Sequence, residues 1–184
     1  MHLTEEEKRR LLLLSRETLE NLYAPNYERI VKEFADPTPT LLESLPCFVT
    51  LNEIKGHLRG CIGSMTTFNS LYKNVFYFTR QAALSDPRFD PVQESEVDNL
   101  IIHISVLGPM QPLKSIEDLK LGHQGLFVSH GERRGVLLAT VATDNGWTAR
   151  EFLGHTCLKA GLEPEHVNEY EVSYFNQIEF GEKR

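Results

Sequence analysis

Two pairs of β-prone runs, each joined by a short turn, constrain the fold of this sequence more than any other feature. In the first pair, residues 48–51 and 57–62 flank a turn in which Gly56 occupies the position that favours a left-handed backbone. In the second pair, residues 125–129 and 135–139 flank a turn that contains a His-Gly step. Because a connection this short can join only antiparallel strands, the sequence predicts an antiparallel sheet.

Helical patterns separate and surround these hairpins. Residues 4–21 place apolar side chains at helical spacing, and Thr4 with Glu7 can form a capping box at the first turn. Residues 70–85 carry two apolar stripes, which predicts a largely buried helix. A second capping box, at Thr148, marks the start of another helix.

Further strands are predicted at residues 99–107 and 169–180, where apolar and polar side chains alternate. Hairpins together with separate helices are typical of α+β proteins, in which helices flank an antiparallel sheet. A chain of 184 residues with 41% hydrophobic and 24% charged residues is long enough for one folded domain. We therefore expect a single domain that covers residues 1–184.

The composition also excludes several classes of protein. A formal charge of −7 disfavours binding to nucleic acid, which depends on many Lys and Arg contacts with phosphates. The apolar runs are far shorter than the roughly 20 residues that cross a bilayer, so no membrane segment is expected. The acidic beginning of the chain differs from a secretory leader, and three cysteines without CxxC spacing favour reduced thiols. These observations predict a cytoplasmic protein.

The motifs of common cofactor-dependent enzymes are absent from the sequence, including the P-loop, the dinucleotide-binding fingerprint and the HExxH pattern. The spacing of His57, His155 and Cys157 matches no compact zinc framework. We therefore expect neither a cofactor nor a metal site.

The strand-forming hexapeptide at residues 58–63 is the strongest candidate for a functional centre. Its Cys61 thiol could act as a nucleophile if a base such as His57 activated it, although free cysteines are more often buried or simply line a site. Gly60 and Gly63 weaken a strand unless a ligand or another backbone approaches closely, or unless the strand bulges. The residues leave these alternatives open.

Two arginines are candidate cations for binding a carboxylate or a phosphate through their forked donors. Arg59 lies in the hexapeptide, and Arg88 lies between two Asp-Pro steps that hold the backbone extended and stiff. Internal salt bridges, for example with Asp86 or Asp90, are the alternative. We expect the hexapeptide and this loop to share a concave surface. The predicted ligand- or partner-binding residues are Arg59, Gly60, Cys61, Gly63, Asp86, Arg88 and Phe89.

The hexapeptide Leu58-Arg59-Gly60-Cys61-Ile62-Gly63 resembles the signature of the AMME candidate-region domain family, also called the A component of AmmeMemoRadiSam systems. Other segments agree with the family in the same order along the chain: Phe48-Val49-Thr50-Leu51, Ala82-Ala83, Asp86-Pro87-Arg88-Phe89, Val106-Leu107, Pro112-Leu113, Gly146-Trp147, Phe152-Leu153 and Lys159-Ala160-Gly161-Leu162. Ala139-Thr140 departs from the pattern, which has a Leu-Pro-Gln-like step there. The resemblance implies an α+β fold in two intimately packed subdomains. It also implies a genomic association with a Memo-like dioxygenase-fold protein and a radical-SAM protein.

The main functional hypothesis is an accessory or substrate-presenting component that binds a partner protein, a small anionic ligand, or both, in a groove at the hexapeptide. On this hypothesis, replacing Arg59 with Ala should impair binding more than folding. The first alternative is a cofactor-independent thiol enzyme that uses Cys61. The second is an RNA-binding module, which the acidic composition disfavours.

Overall fold

The structure, a computed structural model, describes residues 1–66 and 69–183 and contains helices and antiparallel strands in two compact units. The larger unit comprises residues 2–107 and 178–184, and the smaller unit comprises residues 108–177 together with Met1. The predicted α+β class is confirmed, and the two units correspond in number to the subdomains that the family resemblance implies. No helix in the described part of the chain is long and apolar enough to cross a membrane.

The larger unit contains four helices and three antiparallel strands among its described residues. Its elements are α1 (Glu5–Glu20), α2 (Arg29–Lys32), α3 (Pro39–Leu42), β1 (Cys47–Glu53), β2 (Leu58–Ser64), α4 (Leu71–Leu84) and β3 (Leu100–Leu107). A 3₁₀ turn, Glu94–Asn99, leads into β3. β1 pairs antiparallel with both β2 and β3, so β2 is an edge strand of the sheet.

Local sequence signals explain why these elements begin and turn where they do. The Thr4 hydroxyl accepts a hydrogen bond from the backbone N–H of Glu7, and the Glu7 carboxylate accepts one from the Thr4 backbone, as the capping box predicts. Gly56 has a φ of +92°, which permits the tight hairpin between β1 and β2. The predicted helix at residues 70–85 is α4, and its buried face packs against α1.

The core of the larger unit lies between one face of the sheet and the helices α1 and α4. Alternate residues of the strands point into it, and each buried aliphatic side chain contributes roughly 1.5–3 kcal/mol of transfer free energy. The fully buried strand residues include Val49, Leu51, Ile102 and Ile104. The residues between them, including Thr50 and His103, lie on the opposite face of the sheet and are partly exposed.

The smaller unit is built on a second antiparallel arrangement with its own core. Its elements are β4 (Gln111–Pro112), β5 (Gln124–His130), β6 (Arg133–Leu137), α5 (Ala139–Asp144), α6 (Ala149–Lys159) and β7 (Glu171–Gly181), whose last residues belong to the larger unit. β7 pairs with β4 and β5, and β5 pairs with β6. The second strand of the predicted hairpin ends at Leu137, two residues earlier than expected, because α5 begins at Ala139. The backbone N–H of Ala139 donates to Oε1 of Gln177 at 2.8 Å.

Candidate functional site

The hexapeptide forms β2 and contains an irregularity at Arg59. Leu51 of β1 pairs with Gly60, whereas the next residue, Asn52, pairs with Leu58. Arg59 therefore has no opposite residue on β1, which is the arrangement of a β-bulge. The bulge is one of the two alternatives that the glycines left open, and the side chain of the extra residue, Arg59, contacts residues 90 and 96.

Asp86 covers the free edge of β2 at Cys61. The backbone N–H of Cys61 donates to Asp86 Oδ2 at 2.8 Å, in the position that a further strand would occupy. Arg88 donates to the same carboxylate from Nε at 2.9 Å and from Nη2 at 2.7 Å, and its backbone N–H donates to Oδ1 at 3.1 Å. The Asp86 side chain is only 2% exposed, and the Arg88 guanidinium with these N–H groups holds the pKa of its carboxyl well below the usual range.

Arg59 is held by a second carboxylate and a backbone carbonyl. Its Nε and Nη2 donate to the two oxygens of Glu96 at 2.8 and 3.1 Å, and its Nη1 donates to the Asp90 carbonyl at 2.8 Å. The Arg59 side chain is 13% exposed. This bidentate pair raises the pKa of Arg59 and lowers that of Glu96. The ion-pair interpretation of Arg59 is therefore the one that the contacts support.

Phe89 connects the two arginines. The guanidinium carbon of Arg88 lies 5.5 Å from the centre of the Phe89 ring, and that of Arg59 lies 5.9 Å from it. Both distances are within the range of cation–π contacts. The Arg88 side chain is 54% exposed despite its bonds to Asp86, so its outer surface remains accessible.

The two glycines of the hexapeptide make room for other parts of the protein. A Cβ atom at Gly60 would overlap the backbone carbonyl of Ala82 in α4, and one at Gly63 would overlap the Phe48 ring and the Cys47 carbonyl. Gly60 thus lets β2 lie directly on the backbone of a buried helix. Internal packing accounts for both glycines, without a requirement for a ligand.

The Cys61 thiol is partly exposed on the outer face of the sheet, where the Thr50 hydroxyl donates to its sulfur at 3.2 Å. The side chain of His57 is 76% exposed, and its Nδ1 lies 3.4 Å from Glu53 Oε2. His103 is the next residue along the same row, but it lies beyond Thr50 and its ring packs against Gly181. In residues 1–66 and 69–183, no imidazole is hydrogen-bonded to the thiol.

A pocket of about 450 Å³ opens beside Glu96, lined also by Ile54, Ser95 and Leu100. Cys61 and Arg88 do not line it, so a concave site at the hexapeptide itself stays a prediction. Within the described residues, no group of three or more His, Cys, Asp and Glu side chains is placed to hold a metal ion.

The importance of Glu96 was not recognised from the sequence. It lies 37 residues from Arg59, so no local spacing connects them. The available signal was its place in a capping box with Gln93, which fixes the carboxylate close to the start of the 3₁₀ turn.

Comparison with known proteins shows which family this chain is similar to. The sequence profile of AMMECR1 matches residues 12–180. A protein of Thermococcus gammatolerans is 37% identical over 164 residues, which cover 84% of this chain and 79% of the relative. Protein MJ0810 of Methanocaldococcus jannaschii is 32% identical over 183 residues, which cover 87% of this chain and 91% of the relative.

The fold is likewise similar to a solved structure. The crystal structure of uncharacterized protein PH0010 from Pyrococcus horikoshii has a TM-score of 0.81 and 34% sequence identity, and the match covers 94% of this chain and 90% of that chain. The profile match includes the whole hexapeptide and the loop that covers its edge. The chain therefore belongs to the AMMECR1 family.

Proposed function

We propose that this chain is an accessory component that binds a partner protein along the outer edge of β2, where Asp86 and Arg88 cover it. The edge surface is defined here as the outward-facing parts of Leu58, Cys61, Arg88 and Phe89. The observation that carries the proposal is the state of Arg88, which is half exposed while four hydrogen bonds fix its side chain and backbone near β2. A cation that is already fixed loses little conformational entropy on binding.

The composition of the edge surface suits a protein better than a small anion. Arg59 and Arg88 are each paired with a carboxylate, so their charges are largely neutralised before any ligand arrives. Arginine and aromatic side chains are enriched among the residues that dominate protein interfaces. Leu58, which is 38% exposed, adds apolar area beside them. The same pairing of the arginines also weakens the case for RNA as the ligand.

The identity of the partner is proposed from the family resemblance. That resemblance implies an association with a Memo-like dioxygenase-fold protein and a radical-SAM protein, and we propose these two as the candidate partners. On this proposal the chain binds its partner protein and presents a substrate to it, and it does not itself catalyse a reaction.

The test is a titration of the purified chain with each candidate partner from the same genome, using biolayer interferometry. Arg88→Ala and Phe89→Ala should each weaken binding about tenfold or more, as expected for interface hot spots. Arg29→Ala is the matched control, because Arg29 is 63% exposed and also paired with a carboxylate, that of Glu33. Equal losses for Arg88 and Arg29, or full affinity in both edge-surface variants, would argue against the proposed surface.

A thiol enzyme is the second candidate, favoured by the partly exposed sulfur of Cys61 next to the Thr50 hydroxyl. Its weakness is that no imidazole in the described part of the chain is hydrogen-bonded to this thiol. Neighbouring residues in a cross-strand row are about 4.5–5.5 Å apart, so His103 lies roughly 10 Å from Cys61 in the row, with Thr50 between them. Intact-mass analysis after exposure to cell extract tests this candidate. A substrate-derived adduct that disappears in Cys61→Ser would make it the better one.

A further inference from the structure

The smaller unit contains a pocket of about 490 Å³ that is separate from the hexapeptide. Its apolar wall includes Leu113, Leu153, Val167 and Val172, and two cations, Lys114 and Arg150, also line it. Its volume lies within the range of roughly 300–1,000 Å³ that is typical of small-molecule sites.

Gly154 is the residue of this pocket that internal packing does not explain. It lies in the middle of α6, where glycine costs roughly 0.5–1 kcal/mol relative to alanine. A Cβ atom there would meet only Pro164, at 3.8 Å, which is an ordinary van der Waals distance. Gly135 differs, because a Cβ atom at that position would lie 2.5 Å from the backbone carbonyl oxygen of Thr156 in α6. The backbone of α6 therefore requires glycine at residue 135, whereas at residue 154 the missing methyl only enlarges the pocket.

Lys114, Arg150 and the carboxylate of Glu117 are the charged side chains that line this pocket, so the formal charge of its lining is positive although the chain as a whole carries −7. Arg150 is paired with Glu117 at 2.7 Å, but their side chains are 80% and 64% exposed. Such a surface pair stabilises the fold by at most about 1 kcal/mol, so an incoming anion can compete for the guanidinium. Among the described residues, Lys114 has no salt-bridge partner, which leaves its ammonium group available.

We propose that this pocket binds a small organic acid with an apolar body. The apolar part packs against Leu153, Val167 and Val172, and the carboxylate lies at Lys114 and Arg150. Gly154 provides the space for the apolar part on the α6 side. This proposal is independent of the edge surface of β2, because none of the residues of that surface lines the pocket.

The test uses phenylpropionate as the probe and phenylpropanol as its uncharged counterpart, followed by amide chemical shifts in NMR spectra. The acid should bind about tenfold or more tightly than the alcohol, since a charge-assisted contact is worth roughly 1.5–3 kcal/mol. The shifted amides should be those of residues 113–117 and 150–154. In the Lys114→Met variant, the acid should lose most of its advantage over the alcohol, and the remainder should be lost when Arg150→Met is added.

Two further variants separate the pocket from general effects on folding. Gly154→Leu fills the pocket and should abolish binding of both probes, while the dispersion of the NMR spectrum reports that the protein is still folded. Lys159→Met removes a cation from the same helix outside the pocket and should change neither affinity. Equal affinity for acid and alcohol, amide shifts outside the pocket, or no shift with either probe would each overturn the proposal.

Discussion

Gly60 lies within β2 and Gly154 lies within α6, but the space around Gly60 is filled by the protein whereas the space around Gly154 is open. A Cβ atom at Gly60 would overlap the backbone of α4, whereas one at Gly154 would meet a single side chain at a comfortable distance. The first glycine is required by packing and says nothing about a ligand. The second costs stability without a packing reason, so it is the more informative marker of a binding site. A glycine in a recognisable sequence motif is thus weaker evidence for a ligand-binding site than a glycine that borders unfilled space.

The largest expected effect comes from placing alanine at these two glycines. Gly60→Ala should destabilise the protein by about 3 kcal/mol or more, because a backbone carbonyl cannot move aside as a side chain can. Gly154→Ala should instead stabilise it by about 0.5–1 kcal/mol. Urea unfolding followed by circular dichroism measures both. The contrast between the two glycines is contradicted if both substitutions change the free energy of unfolding in the same direction.

A smaller loss is expected from Asp86→Asn, which removes the buried charge between Arg88 and the edge of β2. We expect a destabilisation of about 1–3 kcal/mol at neutral pH, because an amide accepts fewer of the hydrogen bonds and leaves a guanidinium unpaired. Asp90→Asn is the control, since its exposed side chain takes no part in these bonds. An equal loss for the control would mean that the edge of β2 is held in another way.

The effect of Asp86 should also depend on pH in a definite direction. Its pKa is lowered in the folded protein, so its contribution to stability is fully present above the unfolded value of about 3.9 and is lost as the pH falls through the folded value. The stability difference between wild type and Asp86→Asn should therefore be largest near neutral pH and shrink in strong acid. A difference that grows as the pH falls would contradict the ion pair.

Substitution of Arg59 should mainly lower stability, whereas substitution of Arg88 should mainly weaken partner binding. Arg59→Ala should lower the free energy of unfolding by about 1–2 kcal/mol, because Arg59 is largely buried and bonded to Glu96. From the sequence, Arg59→Ala is expected to impair binding more than folding, with an internal salt bridge as the alternative, so this variant tests the two roles against each other. A double-mutant cycle with Glu96→Gln should show non-additive losses. Additive losses would return Arg59 to the set of candidate binding residues.

Cys61→Ser should have the smallest effect on the protein. A hydroxyl can keep the contact with Thr50, and the backbone N–H that bonds to Asp86 is unchanged, so we expect a loss within about 1 kcal/mol. Partner binding should survive at least in part. A folded serine variant without any partner binding would show that the sulfur itself is recognised or reacts.

Local signals made much of the fold predictable. The capping boxes at Thr4 and Thr148, the turn at Gly56 and the apolar stripes of α4 each depend on residues close together in the sequence. The short helices α3 and α5 were not predicted, because four to six residues carry too little periodicity to be recognised.

The candidate site depended more on contacts between distant residues. Packing within the larger unit places α4 against Gly60 and pairs Arg59 with Glu96. No spacing in the sequence indicates either contact. The position of His103 follows from the register between β1 and β3. Residue types therefore indicated where to look, while the roles of Arg59 and Gly60 required the three-dimensional contacts.

The most direct test of the proposed edge surface is amide hydrogen–deuterium exchange of the wild-type chain with and without each candidate partner. We predict slower exchange on complex formation in peptides that cover β2 and residues 86–90, and unchanged exchange in α6. A complex that protects other segments and leaves β2 and this loop unchanged would contradict the account, as would the failure of both partners to bind.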